Sequence, residues 1–342
     1  KLLEAYGIDY LPRKGYKGII GKNIGLIKIN LFLYKMAKKF KPDILIGSSG
    51  NCYIAQVGKI IGKPSIIFSD TEFAGVQNLY TFPFADKIVT PSCFYKKIGK
   101  KQVIYNGYKE LAYLHPEKFK PDSRVIKKYS LPKKYIILRL VEWQASHDIG
   151  YSGFQDINSM IIKLKKYADI IITSEKELSD DLRKYQKKIE PQDMHSVMHY
   201  SSLFIGESST MAAESAVLGI PSLFIANSRR GYTDDLEKFG LLCTFENEKR
   251  QEDALKKAIF FLKSKIDWKK RQKILLEKKE NVTEWMVDFI SHYFNNLHIT
   301  LVGQYNPHKE QIGGIEVYLK NLDEQLKKEN LETLILGWSD TE

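Results

Sequence analysis

The chain has 342 residues and a formal net charge of +12, from 53 Lys and Arg against 41 Asp and Glu. With 43% hydrophobic and 27% charged residues it has the composition of a folded globular protein, which excludes a disordered chain. The length allows two domains with separate cores, and no apolar run is long enough to predict a membrane-spanning helix.

The cysteines and the first residues indicate the cellular compartment of the protein. Cys52, Cys93 and Cys243 are odd in number and have no CxxC spacing, which favours reduced thiols in a cytoplasmic protein. The opening "KLLEAYGIDY" has neither an initiator Met nor a signal-peptide pattern. We therefore expect a cytoplasmic protein whose true beginning precedes this sequence.

The first distinctive stretch is basic and apolar. Residues Lys14 to Lys41 contain eight Lys and no acidic residue, interleaved with Ile, Leu, Phe and Tyr. One interpretation is a surface that contacts anionic lipid headgroups at the inner membrane face. Nucleic acid is a second, but no nucleic-acid-binding motif accompanies the charge, so we expect no nucleic-acid partner. A solvated helix face is the third.

A strand–turn–helix–strand unit follows in "DILIGSSGNCYIAQVGKIIGKPSIIF", residues 43–68. Apolar runs near Asp43–Ile46 and Ser65–Phe68 predict strands, and further strands are expected near Lys87–Thr90 and Gln102–Tyr105. The turn residues Ser49, Gly50 and Asn51 could bind polar groups of an acceptor, or simply close a tight turn. We assign residues 1–115 to a first Rossmann-like domain.

Residues 115–134 are polar and punctuated by proline, which predicts a domain connector. The second domain is assigned to residues 135–294, with strands over Tyr135–Val141, Ala168–Ser174 and Leu241–Phe245 and a helical end. Within it, "LFIGESSTMAAESAVLGIPSLF" repeats the order of the first unit: strand, Gly-x-Ser, helix, Gly-x-Pro-Ser, strand. Two such copies predict two α/β domains of one type, with a ligand in the cleft at the carboxyl ends of their strands.

The second copy carries the strongest candidate site. Gly206 opens the turn, Ser208 is a good N-cap for a helix over Thr210–Leu218, and Gly219 ends that helix. Ser208, Ser209 and Thr210 at a helix start suit a phosphate, although capping alone would explain Ser208. Glu214 lies one turn after Thr210 on the same face, where its carboxylate could accept both ribose hydroxyls of a nucleotide. The alternative is an ordinary exposed glutamate.

Two further polar residues belong to the start of the second domain. Arg139 lies in the apolar strand "IILRLV", and a buried guanidinium needs an anionic partner. A diphosphate fits, and so does an ion pair with Glu142 or Asp148. His147 follows at the carboxyl end of the strand, where it could act as a general base or contact phosphate, or be a satisfied loop histidine.

Several other patterns predict no site. His195 and His199 have the spacing of a zinc-binding helix, but "HSVMH" lacks the Glu of HExxH and no third ligand is evident. "GESST" departs from the G-x-S-x-G hydrolase motif at its last position, and no Walker A sequence is present. The sequence therefore predicts no metal site and no cofactor.

The tail is a partial unit. Residues 297–342 read as a strand, a glycine loop, an amphipathic helix and a second strand, whereas the first domain lacks its own opening strand–helix–strand. We expect the tail to dock on the first sheet, because an isolated unit of this size would leave an apolar face bare. The alternative is the start of a second, fused enzyme.

Five phrases in order carry a resemblance to a known family: "IGKPSIIFSDTE" (Ile61 to Glu72), "ADKIVTPSCF", "GKKQVIYNGYKELAYLHP", "ILRLVEWQASHDIG" and "IGESSTMAAESAVLGIPS". Residues 1–294 resemble the archaeal and bacterial domain-of-unknown-function family 354. That family is related to GT-B glycosyltransferases and UDP-N-acetylglucosamine 2-epimerases, two-domain enzymes that bind a sugar nucleotide in the cleft. The tail resembles the opening of a family 4 glycosyltransferase, with Gly313–Glu316 as its "GGIE" loop.

The resemblance implies roles for two glutamates. The relatives use a Glu at the place of Glu214 for the ribose. In the epimerases a Glu at the point of Glu72 faces the cleft, which makes Glu72 a candidate acid or base. Asp70-Thr71-Glu72 also imitates the metal motif of GT-A glycosyltransferases, but it stands in the wrong context for that fold, and Asp70 reads as a turn residue.

The sequence thus predicts two Rossmann-like domains of GT-B type. The leading function is metal-independent transfer of a sugar from a nucleotide diphosphate, with UDP favoured, to a cell-surface, polysaccharide or lipid-linked acceptor. Arg139 and the helix start would stabilise the departing diphosphate. A sugar-nucleotide 2-epimerase, in which Glu72 and His147 shuttle protons, is one alternative. A non-catalytic nucleotide-sugar-binding module is another.

Overall fold

The structure is a computed structural model, and it describes residues 18–48, 50–141, 154–174, 177–226, 228–293, 298–302, 322–328 and 332–336. The chain divides into two compact units. The first contains Lys1–Tyr113 and Glu280–Glu342, and the second contains Leu114–Lys279. Each unit is built on one sheet of parallel strands with helices packed on it.

The first sheet has six strands in the order β11-β10-β1-β2-β3-β4. All neighbouring strands in this sheet are parallel, and parallel neighbours that follow one another in the chain are joined by crossover connections. Their bounds are β1 (Ile44–Ser48), β2 (Ser65–Phe68), β3 (Lys87–Pro91), β4 (Gln102–Tyr105), β10 (His298–Val302) and β11 (Glu332–Leu336). The apolar runs that predicted the first four strands therefore form strands within a few residues of the expected bounds.

The tail of the chain contributes two of these strands. β10 pairs in parallel with β1, with Ile299 opposite Ile44, and β11 continues the sheet beyond β10. Between them, residues 322–328 are helical, and Leu322 and Leu326 are buried. The segment after residue 297 thus extends the sheet at the edge where β1 would otherwise have no neighbour.

Helices of the first unit cover the sheet. They are α1 (Gly18–Phe40), α2 (Cys52–Ile61), α3 (Gly75–Thr81), α4 (Leu111–Leu114) at the boundary between the units, and α13 (Val282–Tyr293). α1 packs on α2 and α2 on α3. Leu33, Ile54 and Val57 from the first two helices form one core with Leu45 and Ile67 of the sheet. Gly62 ends α2 with φ +68, a left-handed conformation that glycine adopts without strain.

The second sheet has five parallel strands in the order β6-β5-β7-β8-β9. Their bounds are β5 (Tyr135–Leu140), β6 (Asp169–Ser174), β7 (Leu203–Gly206), β8 (Ser222–Ile225) and β9 (Leu242–Phe245). The central strands are buried along their whole length, as expected of parallel strands covered on both faces.

The second unit has eight helices among its described residues. They are α5 (Arg124–Lys128), α6 (Ile157–Leu164), α7 (Asp180–Arg183), α8 (Met194–His199), α9 (Ser209–Val217), α10 (Gly231–Lys238), α11 (Arg250–Lys263) and α12 (Trp268–Lys278). α6 and α11 pack with β5, β6 and β7 in one apolar core that includes Leu138, Met160 and Phe261. Side-chain oxygens of Asp156 and Asp267 cap the starts of α6 and α12.

The boundary at the C-terminal end differs from the expected one. The sequence placed residues 135–294 in the second domain, but that unit ends at Lys279, and α13 belongs to the first. The reason is a set of contacts between residues 280–285 and residues 105–112, which also belong to the first unit. Asn106 and Glu280 exchange hydrogen bonds, the Trp285 ring lies 5.4 Å from the ring of Tyr105, and Thr283 Oγ1 donates to the carbonyl of Ala112 at 2.5 Å.

The proline-punctuated segment expected to be a connector is also packed. Residues from Leu114 onward belong to the second unit. Tyr129 Oη donates to Asp193, Lys128 pairs with Glu190 and Asp193, and the Asp122 amide donates to Ser196 Oγ at 3.0 Å. Polar composition alone cannot separate a linker from a segment held by side-chain hydrogen bonds, which explains the wrong expectation.

No helix within the described residues is both long and apolar enough to cross a membrane.

The bond from Thr283 to Ala112 provides a test of the assignment of α13. Thr283→Val should lower the free energy of unfolding by about 0.5–1.5 kcal/mol, because it removes a hydrogen bond to a buried carbonyl. Thr244→Val is the matched control, since the buried Thr244 hydroxyl has no hydrogen-bond partner among the described residues. The measurement is urea unfolding followed by Trp fluorescence. Equal midpoints for the two variants would contradict the assignment.

Candidate functional site

The candidate site in the second unit starts from a register between two central strands. Arg139 of β5 lies opposite Gly206 of β7 on one side and Thr173 of β6 on the other. The arginine is buried within the sheet, at 2% exposure. A Cβ on Gly206 would come within 2.7 Å of Arg139 Cβ and 2.8 Å of the Phe204 ring. Glycine at this position is therefore required by the close approach of the arginine.

α9 begins directly after this register. Ser208 is the N-cap residue, as the sequence predicted, and its Oγ accepts from the Met211 amide at 3.3 Å. Ser209 Oγ accepts from the Tyr232 hydroxyl at 2.9 Å, and Thr210 is half-buried. The helix starts at Ser209 and ends at Val217, one residue earlier at each end than expected. Its amide groups at this end and its dipole would favour an anion such as phosphate.

Glu214 is not an exposed helical glutamate. Its side chain is 3% exposed, and its Oε1 lies 3.1 Å from Nε2 of His195, which is itself 8% exposed. The His195 ring is held against Phe119 in an edge-to-face arrangement with centroids 6.1 Å apart. Contact with His195 takes up one of the several acceptor positions that a carboxylate offers. Glu214 therefore has a fixed orientation on α9, five residues after its first residue.

His195 reaches Glu214 because α8 packs against α9. Among the described residues, no group of His, Cys, Asp and Glu has the arrangement of a metal site. His195 orients the Glu214 carboxylate, and only the three-dimensional contact reveals this role. The two residues lie on helices that precede and follow β7 in the chain. No spacing rule in the sequence would have identified it.

Glu207 is a second residue that the sequence reasoning missed. It is buried, and its carboxylate accepts two backbone hydrogen bonds: Oε2 from Val141 N–H at 2.9 Å and Oε1 from Phe154 N–H at 2.8 Å. Its own amide donates to the Arg139 carbonyl at 3.1 Å. Glu207 thus joins the end of β5 and the approach to α6 to the end of β7. The available signal was an acidic residue directly after an apolar strand.

Polar residues of the first unit gather at the carboxyl ends of β2 and β4. Glu72 and Glu110 are both 1% exposed, and Lys109 Nζ lies 2.7 Å from Asp70 Oδ2 and 3.9 Å from Glu110 Oε1. Burial alone would raise the pKa of Asp70, but the charge and hydrogen bond of Lys109 outweigh it and hold the pKa below its usual value. Asp70 is therefore an ion-pair partner, which the sequence reading as a turn residue did not foresee.

The helix start of the first unit is engaged locally. Gly50 has φ +88, the conformation of a tight turn. Asn51 is fully buried, its Oδ1 accepts from the Tyr53 hydroxyl at 2.5 Å, and its Nδ2 donates to Ser48 Oγ at 3.2 Å. These bonds favour the structural interpretation of Asn51 over an acceptor site.

Three predicted features have no structural account. Ser49, His147 and the "GGIE" loop of Gly313–Glu316 lie outside the described residues, as do Glu142 and Asp148, the alternative partners of Arg139. Of the predicted site residues, the structure brings Arg139, Gly206, Ser208, Ser209, Thr210 and Glu214 to one edge of the second sheet, and Gly50, Asn51 and Glu72 to the corresponding edge of the first.

Comparisons with known proteins agree with this architecture. The model of a family described as "Protein of unknown function (DUF354)" matches residues 2–295. An uncharacterized protein of Methanocaldococcus jannaschii is 27% identical over 228 residues, 60% of this chain and 65% of that one. A UDP-N-acetylglucosamine–N-acetylmuramyl-(pentapeptide) pyrophosphoryl-undecaprenol N-acetylglucosamine transferase of Pediococcus pentosaceus is 26% identical over 251 residues, 66% of each chain. The matches thus span about two thirds of the length of these relatives.

A solved structure shows the same fold. The UDP-GlcNAc 2-epimerase from Methanocaldococcus jannaschii superposes with a TM-score of 0.56 at 13% identity, covering 85% of this chain and 88% of that one. The predicted fold class, an α/β protein with two Rossmann-like domains of GT-B type, is confirmed.

The two hydrogen bonds of Glu207 lead to a stability prediction. Glu207→Gln should lower the free energy of unfolding by about 1.5–3 kcal/mol, because its NH₂ group would face one of two buried backbone donors. Urea unfolding measures the change. As a control, Glu277→Gln alters an exposed carboxylate 3.8 Å from Lys273 and should stay within about 0.5 kcal/mol of the parent. A parent-like midpoint for Glu207→Gln would show that the two bonds do not matter.

His199 on α8 leads to a pH prediction. Burial, and to a lesser degree the positive charge of Lys269, lowers the pKa of His199 from 6.5 to about 4. The folded state therefore binds a proton less readily than the unfolded chain, so stability is complete above pH 6.5 and falls as the pH drops from 6.5 towards 4. Thermal unfolding across this range should show a smaller decrease in His199→Gln than in the parent. Parallel curves, or an NMR titration of His199 near pH 6.5, would contradict the prediction.

Proposed function

Because the chain belongs to the DUF354 family, and because its second unit presents a capped helix start beside a buried arginine, we propose that it is a glycosyltransferase-like enzyme. It would transfer a sugar from a nucleotide diphosphate sugar, with UDP favoured, to a cell-surface, polysaccharide or lipid-linked acceptor. The name of the Pediococcus pentosaceus relative, a transferase acting on an undecaprenol-linked substrate, supports this reaction class.

The observation that carries the proposal is the arrangement around α9. Ser208, Ser209 and Thr210 stand at the helix start, and Glu214 lies one turn further along the same helix in an orientation set by His195. A diphosphate at the helix start would be bound by amide groups and by the positive end of the dipole. The attached ribose would lie towards Glu214, whose carboxylate can accept from both hydroxyls.

Arg139 would supply the remaining charge. Transfer of a sugar leaves negative charge on the departing diphosphate, and a guanidinium together with oriented amides stabilises such charge without a metal ion. Burial in the sheet makes this interaction stronger than it would be in water. Gly206 contributes by leaving room beside the arginine, because a Cβ at this position would stand only 2.7 Å from Arg139 Cβ.

The first unit supports an alternative in the same ligand class. It has buried carboxylates at Glu72 and Glu110, and Glu110 Oε1 lies 3.9 Å from Lys109 Nζ. Such groups could exchange a proton with a sugar carbon, as a 2-epimerase-like enzyme requires. Three assays separate the possibilities. Nucleotide release that needs an acceptor indicates a transferase, isomerisation without an acceptor indicates an epimerase, and binding without turnover indicates a non-catalytic module.

The first experiment is calorimetric titration of UDP, GDP and several UDP-sugars into the full chain. Glu214→Gln should weaken nucleotide binding about tenfold or more, the scale of one lost charged hydrogen bond. Glu277→Gln on α12 is the matched control and should bind as the parent does. Circular dichroism and a thermal melt establish that each variant is folded.

Two results would overturn the proposal. If no nucleotide binds to the folded parent, the helix start of α9 is not a phosphate site. If UDP binds equally to the parent and to Glu214→Gln, the ribose does not contact Glu214, and the arrangement around α9 has to be reassigned.

A further inference from the structure

Three neighbouring helices of the first unit contain no acidic residue. α1, α2 and α3 together have neither Asp nor Glu, whereas α1 has Lys28, Lys35 and Lys38 on its exposed side and α2 has Lys59. By contrast, α10 and α11 of the second unit carry both signs of charge. The charged side chains of this helical layer are therefore all positive.

The same layer exposes large apolar side chains. On α1, Ile24, Ile27 and Leu31 follow helical spacing, and Ile27 is 64% exposed. On α3, Val76 and Leu79 are 73% and 70% exposed, with Tyr80 beside them. The opposite side of α1 packs on the core through Ile29, Leu33 and Ala37, so the exposed row is not part of the packing of this helix.

The exposed rows belong to one continuous surface. Asn30 Nδ2 on α1 donates to Gln56 Oε1 on α2 at 2.7 Å, and Gln56 Nε2 donates to the Tyr80 carbonyl on α3 at 3.0 Å. This chain of bonds runs between the three helices, and Ile60 lies one turn after Gln56 with 66% of its surface exposed. We call this surface, defined by residues 24–38, 56–60 and 76–80, the basic helical face.

We propose that the basic helical face binds an anionic lipid bilayer. Apolar side chains at the centre would enter the interface between headgroups and acyl chains, and the lysines would contact the anionic headgroups. Tyr80 suits the interface between headgroups and acyl chains, since its ring is apolar and its hydroxyl is polar. The proposal includes α2 and α3, which the basic stretch of the sequence did not indicate, and it stands independently of the nucleotide-sugar site.

Charge decides between a bilayer and a second copy of the chain. A symmetric dimer through this face would place its lysines opposite the same lysines of the other copy, with no acidic residue on the three helices to pair with them. An anionic lipid surface provides the opposite charge over the whole area. The acid-free composition therefore favours lipid over self-association.

The test is flotation of the full chain with vesicles of phosphatidylcholine alone or with about 30% phosphatidylglycerol, a fraction that gives a strongly anionic surface. The parent should bind the anionic vesicles, and binding should weaken as salt is raised. The double variant Lys35→Gln with Lys38→Gln should bind roughly 30-fold more weakly, from about fivefold for each lysine near a charged membrane. Ile27→Gln with Leu79→Gln should bind more weakly by about tenfold or more, because apolar burial is lost.

Matched controls come from the second unit. Ile162→Gln removes an apolar side chain with 68% exposure, and Lys165→Gln with Lys166→Gln removes two exposed lysines, so both should leave vesicle binding unchanged. The proposal is overturned if the parent fails to bind, if neutral and anionic vesicles bind equally, or if the controls lose as much affinity. It is also overturned if sedimentation velocity shows a dimer that Ile27→Gln with Leu79→Gln dissociates.

Discussion

Parallel pairing of β5 with β7 places the arginine, the glycine and the helix start of the second unit at one edge of the sheet. The register puts Arg139 directly opposite Gly206, and the next residue, Glu207, bonds to the Arg139 carbonyl through its amide. Ser208 then caps α9. A shift of one residue in this pairing would turn the arginine to the other face of the sheet, away from the helix start. The whole candidate site depends on that register.

Several ionisable groups of the two units are buried or half-buried, and each has to be compensated. Glu207 is compensated by two backbone amides and Glu214 by His195, and in the first unit Asp70 is compensated by Lys109. Removing charged groups from water costs several kcal/mol for each ion, so such groups are retained where they orient neighbours or contact a ligand. Glu207 holds chain segments, whereas Glu214 and Arg139 stand where the proposed nucleotide would bind.

The two units repeat one design with different outcomes. Each has an apolar strand, a serine-rich turn and a helix, but the turn of the first unit is closed by Asn51, Tyr53 and Ser48 bonding to one another. In the corresponding turn of the second unit, the Ser208 side chain caps a nine-residue helix by accepting from the Met211 amide. The first unit instead carries the basic helical face and gains two strands from the end of the chain. Under the two proposals, the second unit would bind the nucleotide and the first would contact the bilayer.

The amino-acid sequence by itself determined the local elements: the strands around the two glycine turns and the cap at Ser208 follow from apolar periodicity and from residues close in the chain. The GT-B fold class was implied by the resemblance of five sequence phrases to a known family. Only the tertiary structure decided the rest. His195 meets Glu214, Glu207 bonds to Val141 and Phe154, and α13 returns to the first unit. These contacts join residues far apart in the chain, and their geometry arises from the packing of whole helices and strands, which no local pattern encodes.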